Sequence, residues 1–251
     1  MALVAVLAWC FAVALAGGLV GLVLGNLRLP ALLLVASNPA AGAGANIGVS
    51  GVAALAASIA HVRAGRINWR LFGWMAPPSV AGAIAGGYAS GLIPDDGLLA
   101  VIGLTLLYFG VDLLRPKARP TPRREPGEHL NIRAAVLSGL GIGLLGGLVG
   151  LILGALRMPA LLRYVGENAQ RAVGTNLVVG VCVGAAGVIG HAPEGVDWEL
   201  LGLGSAASVP GALIGARLTG RLSEAHLVRA IGVVLIVAGA TTLLQAFLGS
   251  R

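Results

Sequence analysis

The chain has 251 residues, 57% apolar and 11% charged, with a formal charge of +7 and a mean hydropathy of +0.91. Soluble domains carry roughly a quarter charged residues, so no single aqueous core accommodates this much apolar surface, and a bilayer is the fitting solvent. The basic residues cluster at the ends of apolar runs and in one central segment without interleaved aromatics. That argues against a nucleic-acid partner and fits flanking charges that set membrane topology.

Crossing the hydrocarbon takes about 20 apolar residues, and eight runs meet that length. The first, Ala2–Gly25, lacks a basic leading segment and runs past signal-peptide length, so it is expected to persist as a membrane helix. Gly42–Val62, Leu71–Leu92 and Gly97–Leu114 complete the first half; Ala134–Leu156, Ala172–Gly190, Leu200–Ala216 and Ala230–Leu248 form the second. Two short pieces, Pro30–Ala36 and Pro159–Val165, follow the first and fifth runs. Each opens on proline, which suits the first turn of a helix, and each predicts a half-helix dipping into the membrane. Arg115–Arg133 is rich in proline and basic residues and reads as a cytoplasmic linker. The chain therefore divides into a first transmembrane repeat at 1–114, the linker at 115–133 and a second repeat at 134–251.

The two halves are copies. Gly17–Leu34 aligns without gaps to Gly146–Arg163, with 14 of 18 positions identical. The register continues through Gly44-Ala-Asn46 and Gly174-Thr-Asn176, His61 and His191, Trp69 and Trp198, and Ser79 and Ser208. The expected fold is thus an all-α polytopic membrane protein of two homologous repeats, with about eight spanning helices and two half-helices. Loop charge suggests how the repeats are related. Arg63, Arg66 and Arg70 make one loop basic, whereas Glu194, Asp197 and Glu199 make its counterpart in the second half acidic. Matching loops then face opposite sides, which requires an inverted repeat with an odd number of crossings per half, ten in all if each half-helix completes one.

Candidate binding residues gather at the repeated G-L-x-L-G-x-L-R-x-P stretch. Gly21, Gly25, Gly150 and Gly154 disfavour a continuous helix, and Pro30 and Pro159 are expected to restart one. A half-helix N-terminus pointing into the protein attracts anions. Arg28 and Arg157, two residues before these prolines, add forked donors suited to a small oxyanion; interfacial arginines reaching for headgroups are the alternative. Asn46 and Asn176 need partners inside the bundle, and they join Asn26, Ser50 and Thr175 as substrate-binding candidates; helix-to-helix hydrogen bonding is the alternative for the amides. His61 and His191 fall at run ends and are expected at the interface, and Asp112 is expected to pair with Arg115 one turn on. Asp95 and Asp96 read as a turn. Cys10 and Cys182 read as small buried hydrophobes. No metal-ligand spacing, nucleophile–base pattern or cofactor motif appears, and Ser79 and Ser208 have no base alongside.

The ordered recurrence of the glycine break and proline, then G-[AT]-N, then the stretches from His61 to Trp69 and from His191 to Trp198, resembles the sulfite exporter TauE/SafE family, also called toluene sulfonate uptake permeases. The resemblance covers both repeats, about Ala2 to Leu248. The outer glycines and the proline of the break match, while inner glycines of the family pattern are replaced by bulkier residues and Asn46 and Asn176 stand where the family has serine or threonine. The resemblance implies transport of sulfite, sulfonates or related organic anions. Duplication points the same way, because secondary transporters bind substrate near the midplane between repeats. The expected partners are the lipid bilayer, a small anion and a coupling ion, proton or sodium, and the glycine-rich faces also suit a homo-oligomer. The expected location is the cell membrane, the inner one in a Gram-negative cell. A passive channel and a membrane assembly protein are the alternative readings.

Overall fold

The structure, a computed structural model, describes residues 1–89, 95–115, 130–149, 151–191 and 195–249. Most of the expected linker, together with Gly150 and Glu194, lies outside them. Among the described residues the chain is entirely helical: α1 (Ala2–Val20), α2 (Gly25–Leu33), α3 (Pro39–Arg63), α4 (Trp69–Tyr88), α5 (Asp95–Leu114), α6 (Ile132–Val149), α7 (Gly154–Ala160, running into a π-helical turn at Leu161–Val165), α8 (Ala169–His191), α9 (Trp198–Thr219) and α10 (Glu224–Gly249). Seven of these are long and apolar enough to cross a membrane, matching seven of the eight expected runs. The eighth, α4, has the length at 20 residues, but Pro77, Pro78, Arg70 and its glycines dilute its apolar content. Asp95 and Asp96 belong to the first turn of α5 rather than to a preceding turn.

The first break begins at Gly21, whose φ of 70° ends α1 in the left-handed conformation, one that glycine adopts without steric cost. Residues 22–24 are non-helical, and α2 then runs back along α1. The Trp9 indole donates to the Leu27 carbonyl at 2.9 Å, and Leu32 packs with Val6 and Cys10 near the start of α1. The second half repeats the path: Asn131, just before α6, donates through its backbone to the Val165 carbonyl at 3.3 Å. Each break with its short helix therefore retraces the helix before it. The half-helices do not start at proline. They start at Gly25 and Gly154, with Pro30 and Pro159 inside them. Proline removes one intrahelical donor and frees the carbonyl four residues back; the freed Asn26 carbonyl accepts from Gln245 Nε2 at 3.0 Å.

The halves are interleaved rather than side by side. Helix α1 packs on α9 and α6 on α4, α3 packs on α8 and α9 while α8 packs on α4, and α5 pairs with α10. Exchanging the halves maps this set of contacts onto itself. Glycine sets the closest approaches. A Cβ on Gly215 would run into the Leu15 carbonyl of α1, and one on Gly86 into the Leu144 carbonyl of α6, the equivalent place. Backbone-to-backbone contact of this kind provides dense van der Waals packing where lipid removes any hydrophobic drive between helices.

Side chains cap the long helices in equivalent pairs. Asn38 accepts from Ala41 N and Asn168 from Arg171 N; Asn68 accepts from Leu71 N and Asp197 from Leu200 N. Two of these caps also tie the halves together at opposite ends of the bundle. Asn68 donates to the buried Glu167 carboxylate, and its backbone N–H donates to Thr175 Oγ1 at 3.0 Å. At the other end Asp197 accepts from Ser37 N at 3.1 Å, and its own N–H donates to the Ala41 carbonyl at 3.2 Å. Exposed Trp69 and Trp198 mark the same two ends, where an aromatic belt is expected.

Two outcomes are expected. Gly86→Val and Gly215→Val force helices apart, and overpacking of this kind costs about 1–3 kcal/mol; each lowers the melting temperature of the detergent-solubilised protein, whereas Gly73→Val, where an added Cβ meets nothing, leaves it near wild type. The second concerns acid. The Leu200 and Ser37 backbone N–H groups hold the Asp197 carboxyl below the ordinary aspartate range, so its contribution is present above the unfolded pKa and is lost as pH falls through the folded one. Melting temperatures taken downward through about pH 4, the ordinary aspartate value, therefore fall less steeply for Asp197→Asn than for wild type.

Candidate functional site

The two breaks meet at the centre of the bundle. A Cβ on Gly154, which opens α7, would lie 3.2 Å from the Val23 backbone N in the first break. Asn176 bridges them: its Nδ2 donates to the Gly21 carbonyl at 2.7 Å and the Gly154 carbonyl at 2.9 Å. Asn46 plays the equivalent part in the first half and donates to the Gly25 carbonyl at 3.2 Å. Asn176 thus serves the Gly21 carbonyl left open where α1 ends, a need no water meets in the hydrocarbon, and both amides tie the start of a short helix to a long one.

Arg28 and Arg157 sit in the first turn of α2 and α7, each 2% exposed. Neither reaches headgroups. Arg28 is fully engaged: Nε donates to Asn46 Oδ1 at 3.1 Å, Nη2 to Ser50 Oγ, and Nη1 to Ser208 Oγ at 3.5 Å. Arg157 differs, because its Nε and Nη1 are buried without a hydrogen-bond partner, as is Asn176 Oδ1. A cavity of about 20 Å³ borders Arg28 and Ser50, walled by Val13, Gly17, Leu24 and Leu177; that is room for one water.

Of the residues singled out from the sequence, Arg28, Asn46, Ser50 and Gly25 form one cluster, and Asn176, Gly154 and Gly21 form another, with Arg157 one turn along α7 from Gly154. Asn26 turns away to α10, donating to Thr242 Oγ1 at 2.9 Å and the Ala238 carbonyl at 3.3 Å. Thr175 accepts the Asn68 backbone N–H at the bundle end. Gly150 lies outside the described residues. Three expectations are corrected. His61, in the last turn of α3, is fully buried rather than open to the membrane surface, close to the Gly18 backbone and Arg66 and packed against Gly174 of α8. Asp112 pairs with Arg163 at 2.7 Å instead of Arg115, since the π-turn brings Arg163 to the end of α5. Cys10 is buried as expected, but Cys182 is only partly so. Sequence reasoning missed Ser208, set aside for want of a catalytic base; a hydroxyl at matched positions of two apolar runs was the available signal. It also missed Glu167, whose partner lies 99 residues away.

Comparison with known proteins agrees with this architecture. Residues 6–242 match the family described as sulfite exporter TauE/SafE. A "Probable membrane transporter protein" of Xylella fastidiosa (strain Temecula1) is 30% identical over 234 residues, covering 88% of this chain and 89% of the relative. The "Probable membrane transporter protein YjnA" of Bacillus subtilis (strain 168) is 26% identical over 235 residues, covering 88% and 92%. No solved structure matches.

Proposed function

The chain belongs to the sulfite exporter TauE/SafE family and is a multi-pass membrane transporter, and from that premise we propose that it carries a small sulfur oxyanion, sulfite or an organosulfonate, across the cell membrane by alternating access between two inverted repeats. The observation that carries the reading is the buried arginine pair, Arg28 and Arg157, at equivalent positions in two broken crossings that touch each other. Intramembrane charge facing the protein interior belongs to a substrate pathway by default, and a guanidinium matches an oxyanion in charge and in hydrogen-bond geometry.

The path of the chain supports inversion. Each short helix retraces its predecessor, so each half crosses five times, and an odd number sets the second half upside down. Charge agrees with that count. Arg63, Arg66, Arg70, Arg115, Arg133, Arg163, Arg171, Arg217 and Arg221 fall toward one end, and Asp197 and Glu199 toward the other. The positive-inside rule makes the first end cytoplasmic. The cavity beside Arg28 and Ser50, with room for about one water, supports a carrier whose helices move over an open water-filled channel. Polar contacts join the two halves at both ends, Asn68 with Glu167 and Asp197 with Ser37, which suits an occluded intermediate.

Two measurements test this reading. Sulfite, thiosulfate, sulfoacetate, taurine and simple carboxylates are screened for thermal stabilisation of the purified protein and for counterflow into proteoliposomes. A sulfur oxyanion is expected to raise the melting temperature and to exchange against itself across the membrane; no response to any member of the set defeats the anion assignment. Separately, cysteines placed at Arg66 and Glu199 are expected to react with an impermeant maleimide from opposite faces. Labelling from one face means parallel repeats.

A further inference from the structure

The two arginines occupy equivalent places but have unequal surroundings. On α3, Asn46 and Ser50 lie one turn apart and both engage Arg28. On α8, Asn176 is matched, but the place of Ser50 is taken by Gly180, so no hydroxyl stands one turn beyond the amide. The remaining partner of Arg28, Ser208, comes from α9; its counterpart Ser79 instead donates back to the Met75 carbonyl within α4 at 2.7 Å. The protein thus bonds three acceptors to Arg28 and none to Arg157 Nε and Nη1, although both guanidiniums are equally buried; Asn176 Oδ1, the counterpart of the amide oxygen that takes Arg28 Nε, is itself left without a partner.

A buried charge without a partner is strongly destabilising, whereas one with hydrogen-bonded acceptors is tolerated. The internal acceptors therefore make Arg28 a fixed part of the scaffold, and the missing ones leave Arg157 needing negative charge from outside the chain. Resting on the transport reading above, we propose that Arg157 alone is the counter-charge of the transported anion, one anion per chain, and that Arg28 is a positioning residue that fixes the first break through Asn46, Ser50 and Ser208. Gly180 is then a specificity-determining position, because its lack of a side chain keeps the Arg157 donors available.

The test compares Arg157→Met, Arg28→Met, Ser50→Ala, Gly180→Ser and Gly180→Ala in the full chain, by melting temperature in gluconate buffer and by calorimetric titration with sulfite. Arg157→Met is expected to melt at or above wild type, since an apolar group replaces an unpaired charge, and to lose sulfite binding. Arg28→Met is expected to melt lower, because it strands Asn46 Oδ1. Wild type is expected to bind one sulfite per chain, and Ser50→Ala, which removes an acceptor of Arg28, is expected to melt lower. Gly180→Ser, which supplies an internal acceptor, is expected to weaken sulfite about tenfold, or about 1.4 kcal/mol, relative to Gly180→Ala, which controls for the tight contact with Val23 Cγ2 at 2.9 Å. Two equivalent sulfites per chain, or undiminished binding by Arg157→Met, overturns the assignment. If wild type binds neither sulfite nor any sulfonate, the transport reading falls. The arginine assignment is then decided by melting alone: Arg157→Met as destabilised as Arg28→Met overturns it, and Arg157→Met at or above wild type sustains it.

Discussion

Glycine against backbone is the contact on which the rest of this protein depends. Helices α1 and α9, and equivalently α6 and α4, approach until carbonyls of one lie where a Cβ of the other would stand. In lipid no water-driven force presses helices together, so such close van der Waals contact has to supply the association. The pairs also join one half to the other, which is why neither half encloses the centre alone. Interleaving forces α3 and α8, each carrying its asparagine, to cross at the middle of the bundle.

That crossing explains why helices can be broken inside a membrane. Each break leaves backbone carbonyls without intrahelical donors, and a bare carbonyl in hydrocarbon costs several kcal/mol. Asn176 provides the missing donor to Gly21 at the end of α1 and reaches Gly154 of the other break as well, while Asn46 holds the start of α2 at Gly25. Proline adds one more open carbonyl at Asn26, which Gln245 of α10 meets. The breaks are accordingly supported from all around, and the arginines they carry are held in place rather than left to reach the surface.

The departures from symmetry are as informative as the symmetry. Equivalent backbones with unequal side chains let one arginine serve structure while the other stays underserved. At the ends, equivalent helix caps use different acids: Glu167 comes from the loop that meets Asn68, whereas Asp197 is itself the cap that meets Ser37. The two contacts therefore differ in exposure, although the same fold element makes both.

The sequence by itself determined the membrane class, the duplication, seven of the spanning helices, the glycine breaks and the arginines within them. All of these are properties of composition, length and local spacing. Tertiary structure decided what each polar group faces. Arg28 finds Ser208 at a separation of 180 residues and Asn26 finds Thr242 at 216; Asp112 passes over its near neighbour for Arg163, and His61 is covered by Gly174 of the other half. It also decided that the short helices begin at glycine with proline inside them, and that the carbonyl Pro30 frees is taken up by Gln245 from the far end of the chain. Spacing along one chain fixes which face a residue shares with its neighbours. Only the interleaving of the two halves fixes what lies opposite that face.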